Sequence, residues 1–492
     1  MPRECHLPPS ASALSTSMRD LGYSLETAVA DLVDNSISAR ASSVEIVCDL
    51  VGPQPILAIL DNGQGMSGDE LLTAMRHGAA GANQERDPDD LGRFGLGLKT
   101  ASFSQCRQLT VASGRGGSLV AAEWNLDLVD QKDEWVLTLF DQSEARSLPF
   151  SDRLDSTGTL VIWRSLDRLF EDETGSRRDE IVNEKLDLVE KHLALVFHRF
   201  LSGDVPRRKK LSISINGHGV EPFDPFCKKN ASTQLLPEEV VRIDGHTVTM
   251  QPYILPHHSK LSPAEYEFYQ SRSEFISNQG AYVYRSGRLM AWGDWFRLVP
   301  KGEATKLARV QIDFPSSLDG DWTIDIRKSQ ATPPRAVRDR LRQVINRITG
   351  RSTTVHRGRG KKLFEEIKAP IWERFSDQGR IRYAINRSHP LVETLKSELE
   401  GKAGEDVEVL LQAVASALPV EMIYSDYSTN PRDVRQFEME PEAVRERLRK
   451  LKRSLFDGQG GDAESFREVM RSTRLFEDYL EEAEDFIREE FK

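Results

Sequence analysis

Leu21, Leu25, Val29, Leu32 and Ser36 or Ile37 recur close to every third or fourth position, a spacing that lines one side of a helix and predicts an amphipathic helix over 24–38. Two short β-type runs follow, SVEIVCDL and PILAILD, separated by VGPQ, so the helix leads into a hairpin. The second run closes on Asp61-Asn62-Gly63-Gln64-Gly65-Met66, where two glycines permit a sharp turn and close backbone approach to a ligand. Residues 67–98 are rich in Gly, Asp and Asn and show little periodicity until RFGLGLK, Arg93 to Lys99, after which TASFSQC has helical character. That pattern describes a long loop arriving at a helix N-terminus. Four further β-type segments, QLTVAS, LVAAEWNL, EWVLTLF and GTLVIWRSL, complete an α+β layer with helices on one side of a largely antiparallel sheet.

A charged stretch, Glu171 to Glu184, interrupts this pattern and puts a first boundary near residue 170. Beyond it come a helix over 186–202, the strands LSISIN, AYVYRSGRLM and ARVQIDF, and a helix from Pro334 to Thr349 that ends at Gly350. The polar, basic segment 351–362 reads as a linker, and residues 363–492 as mainly helical and charged. The expected division is 1–170, 171–350 and 351–492.

With 492 residues and 39% hydrophobic content the chain can bury ample core and exceeds one ordinary domain. It has no apolar run of about 18 residues, and MPRECHLPPSAS lacks a basic region followed by an apolar stretch, so it reads as unexported and without a membrane span. Cys5, Cys48, Cys106 and Cys227 are scattered, which fits a reducing cytoplasm. A formal net charge of −11 argues against a globally basic nucleic-acid coat. Basic patches at Arg207 to Lys210 and His356 to Lys362 read either as solvated surface or as phosphate contacts, and the acidic EEAEDFIREE as a solvated helix face. The pair His257-His258, His356 and His389 have no metal-ligand spacing.

On the first helix Asp31 and Asn35 are four apart and share a face at the edge of the apolar stripe, with Asp34 expected to point elsewhere. A carboxylate there can orient and deprotonate water, and the amide oxygen is a hard ligand suited to Mg2+. Asp61, at the mouth of a strand, can accept a hydrogen bond from the exocyclic amine of adenine, where guanine offers a carbonyl. Gly63 and Gly65 let the backbone pass close to a purine. The loop from Gly92 to Lys99 presents the Gly95 and Gly97 amides just ahead of a helix, an anion site. Each piece alone is common: a plain turn, or a solvated helix edge.

Their joint order, over residues 20–165, resembles the GHKL ATPases, among them the gyrase B subunit, the ninety-kilodalton heat-shock chaperone, histidine kinases, MutL and MORC proteins. DLVDNSISA is similar to the family's N box, DNGQGM to its first glycine box, GRFGLGLK to its second and STGTL to its third. The resemblance implies a Bergerat-fold domain that binds ATP with Mg2+. By it Asp31 is the general base, Asn35 the magnesium ligand, Asp61 the adenine reader and Thr159 a further adenine contact. Gly92, Gly95 and Gly97 hold the phosphates, and Met66, Phe94, Leu96, Leu98 and Lys99 of the same boxes line the nucleotide. Hydrolytic members usually carry Glu where Asp31 stands, so slow turnover is expected. Histidine kinases lack a carboxylate there and carry a phospho-accepting domain upstream, which disfavours a kinase.

GAYVYRSGRLMAWGDW and DWTIDIRKSQATPP resemble the transducer (S5-like, α/β) domain of MORC-like and MutL-like members over 171–350, and RIRYAINRSHPLV a segment of bacterial MORC-like ATPases. In such domains a lysine reaches the γ-phosphate. Lys328 is the candidate, with Arg327 and Lys99 behind it; the alternative is an exposed lysine beside a strand end. The family further implies that ATP closes a lid, here 67–98, and pairs two N-terminal domains, the segment ahead of Leu21 crossing to the partner. The expected function is Mg-dependent ATP binding and slow hydrolysis that drive homodimerisation of a clamp-like, DNA-associated protein, in a setting such as bacterial restriction or phage defence with a partner effector protein. Two alternatives stay open: a chaperone-like protein remodeller, favoured by the acidic charge, and a nucleotide-gated scaffold without significant turnover.

Overall fold

The computed structural model describes residues 9–51, 55–77, 91, 97–169, 176–256, 260–272, 278–302, 305–325, 328, 331–348, 371–377, 380–399, 401–420, 422–423, 441–456, 462–473, 476 and 479–491. They fall into two compact units, Met1–Asn346 and Arg347–Lys492.

The first unit begins with helices α1 (Ala11–Arg19) and α2 (Leu25–Ser38), then the hairpin β1 (Ser43–Asp49) and β2 (Ile56–Asp61). Helices α3 (Gly68–Met75) and α4 (Gly97–Gln105) precede β3 (Gln108–Arg115) and β4 (Ser118–Asn125). Then come α5 (Leu126–Lys132), β5 (Leu137–Phe140), α6 (Gln142–Arg146) and β6 (Gly158–Arg164). After α7 (Ser176–Val196) and α8 (His198–Ser202), β7 (Ser212–Ile215) and β8 (His218–Gly219) return to the same sheet. Its order among the described residues is β5-β4-β3-β6-β2-β1-β7-β8, antiparallel except where β7 runs parallel to β1.

Period-two alternation sorts the side chains of this sheet. Leu57, Ile59, Val161 and Trp163 join the core under the helices, with Val29, Val33, Phe103 and Val189. Ala58, Leu60, Leu160 and Ile162 form the opposite, small-residue face, which Ala145 of the short α6 and Leu148 cover. The main helices α2, α4 and α7 thus lie on one face as expected. Helix α2 is more deeply set than an amphipathic stripe suggests: Ala28 to Asp34 are all buried, and only Asn35 in its second half is exposed. Leu21, counted into the apolar stripe, lies ahead of the helix and is 40% exposed.

The charged stretch after residue 170 is helical from Ser176. Val182, Leu186, Val189 and Leu193 repeat at three- and four-residue steps and are buried, so its charges are the outer face of α7, which packs on α2. The second sheet contains β9 (Gln234–Leu235), β10 (Glu239–Ile243), β11 (His246–Ile254), β12 (Gly280–Arg285), β13 (Arg288–Asp294) and β14 (Ala308–Phe314), with helix α9 (Pro263–Arg272) between β11 and β12. Its path is β10-β11-β14-β12-β13, with β9 on β11. Strands β9 to β11 are not among those expected from the sequence, and β11 contains Pro252. The β10 pairing stops at Glu239↔Met250, before the proline needs a donor. Helix α7 also packs on β13, which brings the second sheet to the back of α2. A short ladder, β15 (Thr323–Ile324) with β16 (Ala331–Thr332), flanks Lys328.

The second unit holds an antiparallel hairpin, β17 (Trp372–Asp377) and β18 (Arg380–Ile385), and helices at Pro390–Glu398, Lys402–Ser416, Pro441–Phe456, Ala463–Thr473 and Leu480–Glu490. The last three share a core of Val444, Leu448, Phe466, Met470, Phe486 and Ile487. The acidic tail is therefore amphipathic, its carboxylates outside and Phe486 and Ile487 inside.

Candidate functional site

A cavity of about 310 Å³ opens where α2, the end of β2, the start of α4 and the start of β6 meet. Asp31, Asn35, Asp61, Gly65, Met66, Gly97, Leu98, Lys99, Thr159 and Lys328 all line it, so the fold brings together residues that the sequence spreads over nearly 300 positions. Leu32, Ile59, Val111 and Val161 supply apolar walls, as a flat aromatic ligand requires. Gly92, Phe94, Gly95, Leu96, Arg327, the segment 78–90 and the patch from His356 to Lys362 lie outside the described residues.

Asp61 ends β2, opposite Thr159 of β6. Its Oδ1 accepts from the Gly63 amide at 2.8 Å and its Oδ2 from Ser36 Oγ at 2.9 Å. Burial pushes its pKa up, and these hydrogen bonds oppose the rise. Two oxygens offer about four lone pairs, so acceptor capacity remains for a ligand amine. Gly63 thus sits behind the carboxylate, holding it, while Gly65 passes through a gap that admits no side chain. At φ 65° a Cβ on Gly65 would lie 2.0 Å from the Gly114 carbonyl oxygen. The Met66 amide is anchored on Ser113 Oγ at 2.8 Å, and Ser113 Oγ lies 3.3 Å from Thr159 Oγ1.

The opposite end of the cavity is charged. Tyr23 donates its hydroxyl to Asp31 Oδ2 at 3.1 Å, and Lys328 Nζ lies 3.1 Å from Asp31 Oδ1. Lys328 Nζ is closer still to Asp34 Oδ2, at 2.5 Å, and Arg288 Nε reaches both Asp34 oxygens at 3.1 and 3.2 Å. Asp34 does not line the cavity with Asp31 and Asn35, yet positions three apart on a helix are neighbours, and it shares Lys328 with Asp31 in one cluster. Lys328 is 6% exposed, so it is a buried member of this cluster and not an exposed lysine at a strand end. Its backbone is left-handed, φ 53°, at the turn between β15 and β16.

Lys99, on the first turn of α4, donates to the Ala74 carbonyl at 2.8 Å, and burial pulls its pKa down to about 8. Gly97 opens α4 close to Asp31: a Cβ there would stand 3.4 Å from Asp31 Oδ2. The positive end of the α4 dipole thus faces the cavity, an arrangement that favours phosphate. Asn35 exposes its carboxamide on the same wall, one turn from Asp31. One hard oxygen donor beside an anion site fits magnesium, which keeps waters and phosphate oxygens in its shell. Sequence reasoning missed the parts that Tyr23, Ser36, Asp34 and Arg288 play. Ser36 could have been found as the residue next to Asn35; Arg288, 254 positions from Asp34, could not.

Residues 23–159 match the family of histidine kinase-, DNA gyrase B- and HSP90-like ATPases. A stretch of 95 residues is 30% identical to ATPase morc-1 of Caenorhabditis elegans, covering 19% of this chain and 11% of that protein. Among the described residues no helix is long and apolar enough to cross a membrane. With residues of all four motifs lining one cavity, residues 23–159 form an ATPase domain of the histidine kinase-, DNA gyrase B- and HSP90-like type, in a chain similar over a short stretch to ATPase morc-1.

Proposed function

We propose that the chain binds Mg-ATP in this cavity and hydrolyses it slowly, using the nucleotide to pair two copies of its first unit around DNA. The carrying observation is that one cavity joins an adenine-competent carboxylate, Asp61, to the Asp31 and Asn35 pair at the opposite end. In this reading Asp61 and Thr159 hold adenine between the apolar walls, with Gly63, Gly65 and Met66 shaping the backbone around it. Leu98, Lys99 and the Gly97 amide at the start of α4 receive the phosphates. Asn35 holds magnesium, which when bound neutralises phosphate charge. Asp31 orients and deprotonates the attacking water, and Lys328 meets the γ-phosphate.

Both Asp31 oxygens are engaged, one by Tyr23 and the other by Lys328. A base so occupied turns over slowly until the phosphate draws Lys328 away, which supports low basal activity. DNA contact rests on exposed Arg207, Lys209 and Lys210; Arg208 instead donates to the Ile37 carbonyl at the end of α2, at 2.9 Å. Duplex affinity that falls steeply with salt supports phosphate contacts, and no binding at low salt removes DNA from the proposal.

A second reading, a remodeller or effector acting on proteins, is favoured by exposed apolar residues of the second unit: Val409, Leu410 and Met422 are 60–68% exposed among the described residues. The deciding experiment is nucleotide binding and phosphate release for wild type, Asp31→Ala and Asp61→Asn, with and without duplex DNA. Release lost in Asp31→Ala with binding retained, and binding lost in Asp61→Asn, support the proposal. Full activity in both variants refutes it, and binding without release in wild type leaves the nucleotide-gated scaffold.

A further inference from the structure

Asp34 lines no part of the cavity and has no role in the assignment above, yet it is the most deeply buried carboxylate of α2, 1% exposed. Two cations from the second half of the unit converge on it: Arg288, the first residue of β13, and Lys328, from the β15–β16 turn. Two carboxylates three residues apart on a buried helix face repel unless cations lie between them, and here Lys328 is shared by both, nearer Asp34 than Asp31. A lysine amine on its four-carbon stem has no fixed direction of its own. Asp34 supplies one, holding Nζ at the lip of the cavity beside the proposed base.

We propose that Asp34, clamped by Arg288, is a positioning residue that aims Lys328 at the terminal phosphate. The inference rests on the reading of the cavity as an ATP site. Its logic is in the division of labour between the cations. A guanidinium does not lose its proton, and Arg288 is fixed a second time by donation to the Leu289 carbonyl at 2.7 Å. It therefore stays on Asp34 when Lys328 turns to the γ-phosphate, so the departing amine does not leave an unpaired charge in the core. Lys328 becomes transferable because Arg288 is not. Since Arg288 and Lys328 belong to elements after residue 280 and Asp34 to α2, one carboxylate registers the second sheet against the nucleotide end of the first. His192 of α7 lies near this pair and carries no competing charge: burial, then Arg288, pulls its pKa down to about 3.

The full-length protein tests this with Asp34→Asn, Arg288→Lys and Lys328→Met. The measurements are dissociation constants for ADP and a non-hydrolysable ATP analogue, together with kcat and KM for phosphate release. Asp34→Asn is expected to keep ADP affinity within about twofold, to lower the preference for the ATP analogue over ADP about fivefold or more, and to lower kcat about tenfold. In the Lys328→Met background Asp34→Asn should change neither quantity further, because its effect passes through the lysine. Should Asp34→Asn not fold, Arg288→Lys, which keeps the charge but not the two-oxygen contact, is expected to lose ATP preference in the same direction with ADP affinity retained. Equal loss of ADP and ATP affinity, an unchanged ATP preference, or effects that add in the double variant overturn the inference. A wild-type protein that binds neither nucleotide overturns the cavity reading itself, and the inference with it.

Discussion

At the residue scale, aspartate does two different jobs within 31 positions. Asp31 is buried and Asp61 half-buried at the cavity, and Asp61 is held by neutral donors, Asp31 by a cation and a phenol. The first arrangement suits recognition of an amine, the second a proton acceptor whose availability depends on where Lys328 lies. Asp31→Ala is therefore expected to lower phosphate release by about two orders of magnitude while ADP binding persists, as removal of a general base does. Asp61→Asn is expected to raise the ADP dissociation constant about tenfold or more by titration calorimetry, since the amide turns a donor toward one of its present partners.

Lys99 adds a pH dependence. Its ammonium gives up its proton near pH 8, against 10.5 ordinarily, because burial disfavours the charge. As pH rises from 7 to 9 the attraction for phosphate should fade, weakening ATP binding, and Lys99→Met should abolish that slope. Stability runs the other way. Between about pH 8 and 10.5 the unfolded chain holds a proton on Lys99 that the folded chain has released, so this group's contribution rises with pH across that window. The Tm of wild type relative to Lys99→Met should therefore rise with pH across that window.

At the element scale, the site depends on the second half of α2, the end of β2, the start of α4 and the start of β6 held at close range. Gly65 allows this: a methyl group there meets the Gly114 carbonyl at 2.0 Å in a backbone conformation that L-residues rarely adopt. Gly65→Ala should lower Tm and abolish nucleotide binding. Gly68, at the first position of α3, has open space where a Cβ would stand, and Gly68→Ala should raise stability by about 0.5–1 kcal/mol with binding unchanged. The elements around the site were largely legible, because alternation and helical spacing are local properties. The expected helix over 24–38 forms as Leu25–Ser38, and PILAILD forms β2. Where local signals fell short, tertiary pairing explains it: β11 is held by β14 along one edge and by β10 and β9 along the other, and α7 begins inside a charged stretch whose apolar stripe is thin.

At the scale of the whole molecule, ATP is expected to convert a monomer of the full-length chain into a dimer, read by light scattering with a non-hydrolysable analogue. Unchanged mass with nucleotide bound would remove pairing from the proposal and leave the pocket intact. The order of four motifs and their kinship to an ATPase family were readable from the chain alone, since each motif places its side chains through spacing of a few residues. Asp31 and Asn35 share a wall because helices repeat, whereas Asp61 faces Thr159 only through the register of β2 on β6. Only the tertiary structure brought Lys328 onto Asp34 across 294 positions and Arg288 across 254. No periodicity carries such a pairing: it arises when burial of the second sheet against α2 forces two carboxylates and two cations to find one another away from water.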